Sequence, residues 1–315
     1  MNTSAAASLD ALAGIPGVRR VARGAPLGPL TSIGVGGPAD WLVEAGEAKA
    51  VEAVVQRVRS QGLALTILGG GSNVLVSDAG VRGVVLLLRG GGCRQPGEGR
   101  VEADAGVTIN GLVRWTILRG LAGLEAWAGT PGCVGGAIHG NAHFQGRLIG
   151  ERVVAARLLS PSGGTTLARR DELGFGYDVS RIQSTGEIVL SAEFDVSGEA
   201  PEVLRARARE SLLFRKRTQP LALRSAGCIF RNPDPARDAI PSRLPASAGA
   251  LIDAAGLKGR SRGGARVSPR HANFIVNEGG ATAADVSALV ELCRRAVQER
   301  FGVVLREEIV RLGEF

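Results

Sequence analysis

The spacing of apolar residues along the chain predicts a mixture of helices and strands. In Ala48–Ser60 four valines recur at helical spacing, and Gly62 supplies a stop. Thr282–Arg300 has the same period, with Thr282 as the capping residue and Gly302 at the end. Further helices are predicted at Ile109–Leu118, Pro201–Arg217 and Ala246–Ala255.

Short apolar runs between turn residues predict strands over much of the remaining chain. These strands are Trp41–Val43, Leu65–Leu68, Val74–Val76, Val84–Leu88, Arg100–Ala105, Val153–Leu159, Thr165–Ala168, Glu187–Val196, Ala272–Asn277 and Val303–Leu312. The pattern changes near residue 199 from strand-rich to helical and basic, which predicts a domain boundary there. We expect a loosely held extension at 1–25, one domain at 26–199 and a second at 200–315, with the final strand returning to the active site.

A run of glycines interrupts the apolar pattern between two predicted strands. It consists of Gly69, Gly70 and Gly71, followed by Ser72 and Asn73. Glycines allow positive φ and bring backbone N–H groups close to a ligand, so a phosphate or pyrophosphate is the natural guest. The run is neither a Walker loop nor a Rossmann fingerprint, because no Gly-Lys-Ser/Thr and no helix follow it. A glycine-rich hairpin without a ligand is the alternative.

A second glycine-rich region spans Gly123–Gly146 and has few side chains. Such a surface allows close approach of another group to the backbone, and a planar ring system is a good candidate. His139 and His143 lie in this region, and we interpret both as polar residues at the edge of a pocket.

Composition narrows the class of protein. The chain has 315 residues and a net charge of +8 carried almost entirely by scattered arginines. Aromatic residues make up only 4%, and no nucleic-acid-binding motif is present, so anionic small molecules are favoured over nucleic acid. No run is long enough for a membrane span and no signal peptide is evident, which predicts a cytoplasmic protein. The cysteines are widely spaced and predict thiols and no metal site: Cys93, Cys133, Cys228 and Cys293.

Several motifs together resemble the UDP-N-acetylenolpyruvoylglucosamine reductase family. They are LGGGSNVLVSD, GLEAWAGTPGCVGGA, SAGCIFRNP, HANFIVN and LREEIV, which occur in the family's order between about Thr31 and Arg311. The resemblance implies an α+β fold: a FAD-binding portion of the vanillyl-alcohol-oxidase type (PCMH-like), split into two sub-domains near residue 90, followed by a substrate-binding sub-domain. The compact length suggests the branch without an extra substrate-covering insertion.

The resemblance also implies a cofactor and a reaction. FAD would be reduced by NADPH and would then reduce the enolpyruvyl ether of UDP-N-acetylglucosamine to UDP-N-acetylmuramate, in peptidoglycan precursor synthesis. A monomer is expected. The glycine run would hold the pyrophosphate. The remaining implied FAD contacts are Gly129, Pro131, Gly132, Val134, Gly135, Gly136, Ala137, Asn141 and Val189.

Two residues match the family's catalytic positions. Cys228 occupies the proton-donor position, where many relatives carry serine, and a thiol with a reference pKa of ~8.5 releases a proton more readily than an alcohol. Glu308 matches the glutamate that stabilises the intermediate, although Glu307 is its neighbour. The implied substrate contacts are Tyr177, Asn232 and Lys216, with nearby Arg215 and Arg217 as further candidates for the diphosphate.

One position departs from the family pattern. Where relatives have Tyr-Arg-x-Ser, with the arginine on the substrate carboxylate, this chain has Asp178. An aspartate would repel that carboxylate by about 1 to 4 kcal/mol at contact, depending on the dielectric. We hypothesise that Arg181 substitutes. The alternatives are a flavoprotein oxidase of the same fold acting on another substrate and a catalytically impaired nucleotide-binding descendant.

Overall fold

Residues 9–315, which the computed structural model describes, divide into two units that are each built from three separate stretches. Unit 1 comprises the chain up to Ala25, Ala39–Gly70 and Arg82–Phe214. Unit 2 comprises Pro26–Pro38, Gly71–Val81 and Arg215–Phe315. The division at Phe214 differs from the predicted boundary near residue 199.

Strands and helices are interspersed along residues 9–315. Strands β1 to β19 are, in order, Val18–Pro26, Pro38–Ala45, Leu65–Leu68, Val74–Val76, Val81–Leu88, Cys93–Arg94, Arg100–Asp104, Leu121–Ala122, His143–Phe144, Arg147–Leu148, Val153–Leu159, Thr165–Arg169, Ile188–Asp195, Ser197–Gly198, Arg224–Cys228, Ser261–Arg262, Ala265–Val267, Phe274–Asn277 and Val310–Leu312. Helices α1 to α7 are Ala48–Ser60, Ile109–Leu118, Val134–Gly140, Ile182–Thr185, Pro201–Thr218, Ala248–Ala254 and Ala283–Phe301. Among residues 9–315 no helix combines the length and the apolar character needed to cross a membrane.

Unit 1 contains two main sheets around one apolar core, and its described residues also form the two-stranded sheets β10-β9 and β14-β8. The first sheet has the order β1-β2-β5-β3, and the second has the order β12-β11-β13-β7-β6. The valines of α1 are fully or almost fully buried in this core, as their helical spacing predicts. Strand β13 pairs antiparallel with both β11 and β7, so it lies in the interior of the second sheet.

Unit 2 has its own core and a sheet of order β15-β18-β17-β16. Helix α7 begins with a capping box, in which Thr282 accepts from the amide of Asp285. Asp78, at the end of the glycine-run segment, accepts hydrogen bonds of 2.8 and 2.9 Å from the amides of Ala283 and Ala284. The N-terminus of α7 is therefore fixed to the segment that follows the glycine run.

The structure corrects two predictions about chain ends. Leu9 and Leu12 are buried in the core of unit 1, and Val18–Pro26 is a strand, so the predicted loose extension is wrong for residues 9–25. Residues 1–8 lie outside the described part of the chain. The predicted strand Val303–Leu312 is regular only over its last three residues.

Candidate active site

The glycine run does not form a hairpin. Strand β3 before it pairs in parallel with β5 of unit 1, and Leu68 lies opposite Leu87. Strand β4 after it pairs in parallel with the C-terminal β19 of unit 2, and Val74 lies opposite Val310. The two predicted strands are confirmed, but the hairpin alternative is wrong because β3 and β4 belong to different sheets.

The first half of the run packs against the second glycine-rich region within unit 1. A Cβ atom on Gly69 would lie 2.8 Å from Sγ of Cys133, and one on Gly70 would overlap the Cα of Gly132. Side chains are thus excluded from both segments by their mutual approach. The result is a surface of backbone without side chains. A diphosphate or a planar ring can approach such a surface more closely than it can approach a cluster of side chains.

The second half of the run is fixed within unit 2. Gly71 has φ +63°, and its carbonyl oxygen accepts a hydrogen bond of 2.9 Å from the amide of Ser32. Ser72 accepts a hydrogen bond at its carbonyl from the Ser32 hydroxyl at 3.3 Å. Asn73 donates its side-chain amide to the carbonyl of Glu308 at 3.0 Å. Asn73 therefore has a structural partner, and its contact with FAD stays a prediction.

The second glycine-rich region contains helix α3, which the apolar pattern did not reveal. Helix α3 begins directly after Cys133, and the amide of Gly135 donates to the carbonyl of Ala105 at 2.9 Å. A Cβ on Gly135 would meet the Ala105 side chain at 3.0 Å, so glycine permits this close packing. Gly136 on the same helix is exposed.

The predicted FAD contacts in this region differ in exposure. Gly129 and Gly132 have φ of 78° and 107°, and Gly129 is held by a 2.7 Å hydrogen bond from its amide to Asn110. Pro131 is exposed. Three apolar members of the predicted set are buried in the core of unit 1: Val134, Ala137 and Val189. Their contact with FAD stays a prediction.

Burial raises the pKa of the Cys133 thiol, which lies beneath the two glycine segments. The thiol is therefore protonated and apolar in character at neutral pH. Cys133 contributes packing to the glycine surface.

Cys228 ends β15 at a bulge in the sheet of unit 2. The pairing of β15 with β18 shifts between Ser225 and Cys228, and Gly227 has φ +82°. This left-handed conformation favours glycine over any residue with a side chain. Cys228 is half-buried and does not form a disulfide within residues 9–315.

Glu308 lies on the segment next to Cys228. Its amide donates a 2.8 Å hydrogen bond to the carbonyl of Ile229, and Glu307 forms a β-bridge with Phe230. The structure thus places the two predicted catalytic residues on adjacent backbone segments of unit 2, although they are far apart in sequence.

The neighbouring Glu307 has a different environment. Its carboxylate accepts hydrogen bonds from Arg311, at 2.9 and 3.0 Å, and from Arg294. Burial alone would raise the pKa of Glu307, but the hydrogen bonds and charges of Arg311 and Arg294 bring it below its ordinary value. Glu307 is engaged in a structural ion-pair network, and the catalytic role of Glu308 stays a prediction.

Asp178 lies at the tip of a tight turn in unit 1. Gly176 and Val179 close the turn with backbone hydrogen bonds in both directions, and Asp178 has φ +54°. Aspartate tolerates this left-handed conformation better than arginine does. Its buried carboxylate lies 2.7 Å from Nδ1 of His143. Sequence reasoning missed this pair, because the two residues are 35 positions apart and no periodic pattern connects them.

Arg181, the predicted substitute for the family arginine, is paired elsewhere. Its guanidinium donates two hydrogen bonds to Glu187, from Nε at 3.1 Å and from Nη2 at 3.0 Å. A role on the substrate would require this bidentate pair to open. The substitution by Arg181 stays a prediction.

The remaining predicted substrate contacts lie in both units. Tyr177 of unit 1 is 43% exposed, and its ring lies 4.7 Å from that of His143. In unit 2, Lys216 is exposed. The side-chain oxygen of Asn232 accepts a hydrogen bond of 3.1 Å from the backbone amide of Ala248. Arg215 is buried, and burial lowers its pKa to about 10. Their roles toward a substrate stay predictions.

Asn141, which is predicted to contact FAD, is buried in unit 1, and its side chain makes two hydrogen bonds. The side-chain nitrogen donates to the carbonyl of Gly176 at 2.7 Å, and the side-chain oxygen accepts a hydrogen bond of 2.9 Å from the backbone amide of Gly150. Asn141 thereby fixes the turn that carries Asp178 to the end of α3. This scaffold role was not evident from the sequence, and contact with FAD stays a prediction.

Two family models match the chain. The model described as UDP-N-acetylenolpyruvoylglucosamine reductase, C-terminal domain, matches residues 219–312. The model described as FAD binding domain matches residues 39–168. The bare-backbone surface formed by Gly69, Gly70 and Gly132 lies within unit 1 and fits this cofactor class.

Individual proteins match over nearly the whole chain. The chain is 41% identical over 305 residues to UDP-N-acetylenolpyruvoylglucosamine reductase of Synechococcus sp. (strain RCC307), covering 96% of this chain and 97% of that protein. It is also 41% identical over 299 residues to the enzyme of the same name from Anaeromyxobacter sp. (strain K), and this match covers 93% of this chain and 86% of that protein. The crystal structure of UDP-N-acetylenolpyruvylglucosamine reductase from Thermus caldophilus superposes with a TM-score of 0.76 and 34% identity, covering 94% of this chain and 100% of that one.

Proposed function

Because the chain belongs to the UDP-N-acetylenolpyruvoylglucosamine reductase family, we propose that it reduces enolpyruvyl UDP-N-acetylglucosamine to UDP-N-acetylmuramate with NADPH as electron donor. The chain is a FAD-dependent oxidoreductase by its family. The single observation that carries the proposal is the hydrogen bond from Glu308 to Ile229, which joins the segments of the two motif residues Cys228 and Glu308 in unit 2.

The bare-backbone surface supports FAD binding. Gly69 and Gly70 pack closely against Cys133 and Gly132, and the backbone that this contact leaves without side chains is proposed to face the cofactor. Bound FAD would supply hydride transfer from NADPH to the substrate. The protein must bind and orient the substrate, deliver a proton and stabilise negative charge.

Cys228 is proposed as the proton donor. A hydride added at the vinyl terminus leaves negative charge on the adjacent carbon and its carboxylate, and that carbon needs one proton. The half-buried thiol at the β15 bulge can deliver it, and a thiol gives up a proton more readily than the serine of many relatives does. The resulting thiolate regains its proton from solvent before the next turnover.

Glu308 is proposed to stabilise the intermediate from its fixed backbone position by donating a hydrogen bond from its protonated carboxyl group to the developing negative charge. Its amide and its carbonyl are both hydrogen-bonded, to Ile229 and Asn73, so the Cα of Glu308 has little freedom. A fixed group near developing charge costs no reorganisation during the reaction. Tyr177, Lys216 and Asn232 are proposed substrate contacts, and the protein is proposed to act as a cytoplasmic monomer in peptidoglycan precursor synthesis.

The test is spectroscopic. The purified protein should be yellow from oxidised FAD, and NADPH should bleach it under anaerobic conditions. Adding enolpyruvyl UDP-N-acetylglucosamine should then restore the colour. An oxidase of another substrate would bleach slowly with NADPH and would regain colour with oxygen but not with this substrate.

Asp178 favours a second candidate, a nucleotide-binding protein impaired in catalysis. Such a protein would be yellow and would bleach with NADPH, but its colour would not return on addition of the substrate. The successive addition of NADPH and substrate therefore separates the two candidate functions.

A further inference from the structure

His143 and Asp178 form a close pair within unit 1. Nδ1 of His143 lies 2.7 Å from Oδ1 of Asp178, whose side chain is only 7% exposed. The other carboxylate oxygen, Oδ2, has no hydrogen-bond partner among residues 9–315. The hydrogen bond between Nδ1 of His143 and Oδ1 offsets part of the cost of burying this carboxylate.

The turn that carries Asp178 is held rigidly on helix α3. The side chain of Gln183 donates to the carbonyls of Asp178 at 2.9 Å and His139 at 3.1 Å. Ser180 donates its hydroxyl to the same His139 carbonyl at 2.6 Å. Asn141 fixes the start of the turn through Gly176. Asp178 therefore has a defined position from which it can orient His143.

The left-handed backbone at Asp178 explains why this position suits aspartate. At φ +54° an aspartate is among the residues best tolerated, whereas the long side chain of an arginine brings no compensating local hydrogen bond. The chain therefore combines a turn suited to Asp178 with a histidine from strand β9. Arg181 instead donates two hydrogen bonds to Glu187.

On the basis of the proposed reductase function, we propose that protonated His143, oriented by Asp178, binds the carboxylate of the enolpyruvyl substrate in place of the family arginine. The Asp178 carboxylate would then be neutralised by His143 and would no longer repel the substrate. His143 is 26% exposed at its side chain, and Tyr177 packs against its ring, which limits the ring to a small range of orientations.

The experiment measures the two half-reactions separately under anaerobic conditions. His143→Gln should be reduced by NADPH at the wild-type rate. Its reoxidation by enolpyruvyl UDP-N-acetylglucosamine should be slower by ~10²-fold or more, and half-saturation should need more substrate. Asp178→Asn keeps a residue that tolerates the left-handed turn and removes the charge, and its reoxidation should fall by about 10-fold.

Two control variants separate this role from a general effect of charge, and the comparison of the two half-reactions separates it from a structural role. Arg147→Gln removes an exposed positive charge from the neighbouring strand β10 and should leave both half-reactions unchanged. Asp171→Asn removes an exposed carboxylate from the same unit and should also have no effect. Wild-type reoxidation in His143→Gln, or an equal loss in both half-reactions, would overturn the proposal. A wild-type protein that is never reoxidised by this substrate would instead overturn the proposed function, and the inference with it.

Discussion

The backbone amide of Glu308 donates a 2.8 Å hydrogen bond to the carbonyl of Ile229, the residue directly after Cys228. This one bond, together with the bridge between Phe230 and Glu307, brings the C-terminal segment beside the loop with the proposed proton donor. Asn73 adds a third segment, because its side chain donates to the Glu308 carbonyl. Residues from three distant parts of the chain thus fix the backbone around Glu308 in unit 2.

Cys228→Ala should block the second half-reaction without affecting the first. Removing the proton donor should slow reoxidation of the reduced protein by the enolpyruvyl substrate by about 10²- to 10⁴-fold. Reduction by NADPH should keep its rate, because it needs no proton from Cys228. Stopped-flow absorbance of the flavin measures both steps, and Cys228→Ser should keep much of the activity. A fully active Cys228→Ala variant would contradict the proton-donor role.

Cys228 should be the thiol that reacts with iodoacetamide in the native protein. Burial is the main cause that raises the pKa of Cys93 to about 11 and that of Cys293 to about 12, and burial also raises the pKa of Cys133. These three thiols therefore have little reactive thiolate at neutral pH. Peptide mass spectrometry after brief labelling should find the modification at Cys228, and substrate should slow it. Faster labelling of Cys93 would contradict this order.

Gly70→Ala should reduce FAD content because the new Cβ would overlap the Cα of Gly132. Either the two glycine segments separate or the turn moves, and both outcomes disturb the bare-backbone surface. The ratio of flavin absorbance to protein after purification measures the loss. Gly92→Ala is the matched control, since nothing lies within 4 Å of a Cβ built there. Circular dichroism distinguishes cofactor loss from unfolding, and full FAD content in folded Gly70→Ala would exclude the predicted contact.

Glu307 should make the stability of unit 2 depend on pH in the acidic range. Its pKa lies below the ordinary value of 4.5, so the folded state favours the carboxylate. The stabilisation is therefore complete above pH 4.5 and is lost as the pH falls through the lower folded value. Glu307→Gln should be less stable than wild type at pH about 7, with the gap closing on acidification. Urea unfolding measures this, with the exposed Glu299→Gln as the control; a gap independent of pH would contradict it.

Local patterns predicted most elements, because each is encoded in neighbouring residues. Helix α1 follows from its four valines, and β3 and β4 follow from their apolar runs. Their pairing was not predictable, since β4 pairs with β19 from the opposite end of the chain. The buried Leu9 and Leu12 were missed because small residues around them hide the apolar signal.

In the candidate site, too, contacts between residues far apart in sequence could not be predicted. Family motifs predicted roles for Cys228 and Glu308, and these roles stay predictions. The departure at Asp178 was visible because the family motif has an arginine at that position. His143 carried no such signal, because its relation to Asp178 is a contact between a short strand and a turn tip. Likewise Asn141 stood in a motif region, but its two hydrogen bonds depend on where the Gly176 turn lies in the fold.

The central claim is that this chain turns over enolpyruvyl UDP-N-acetylglucosamine despite Asp178. The most direct measurement is anaerobic incubation of the yellow protein with NADPH and this substrate, followed by mass spectrometry of the sugar nucleotide. We expect the substrate to gain two hydrogens and become UDP-N-acetylmuramate, with one NADPH consumed for each product. Bleaching of the flavin by NADPH with no such product would contradict the claim.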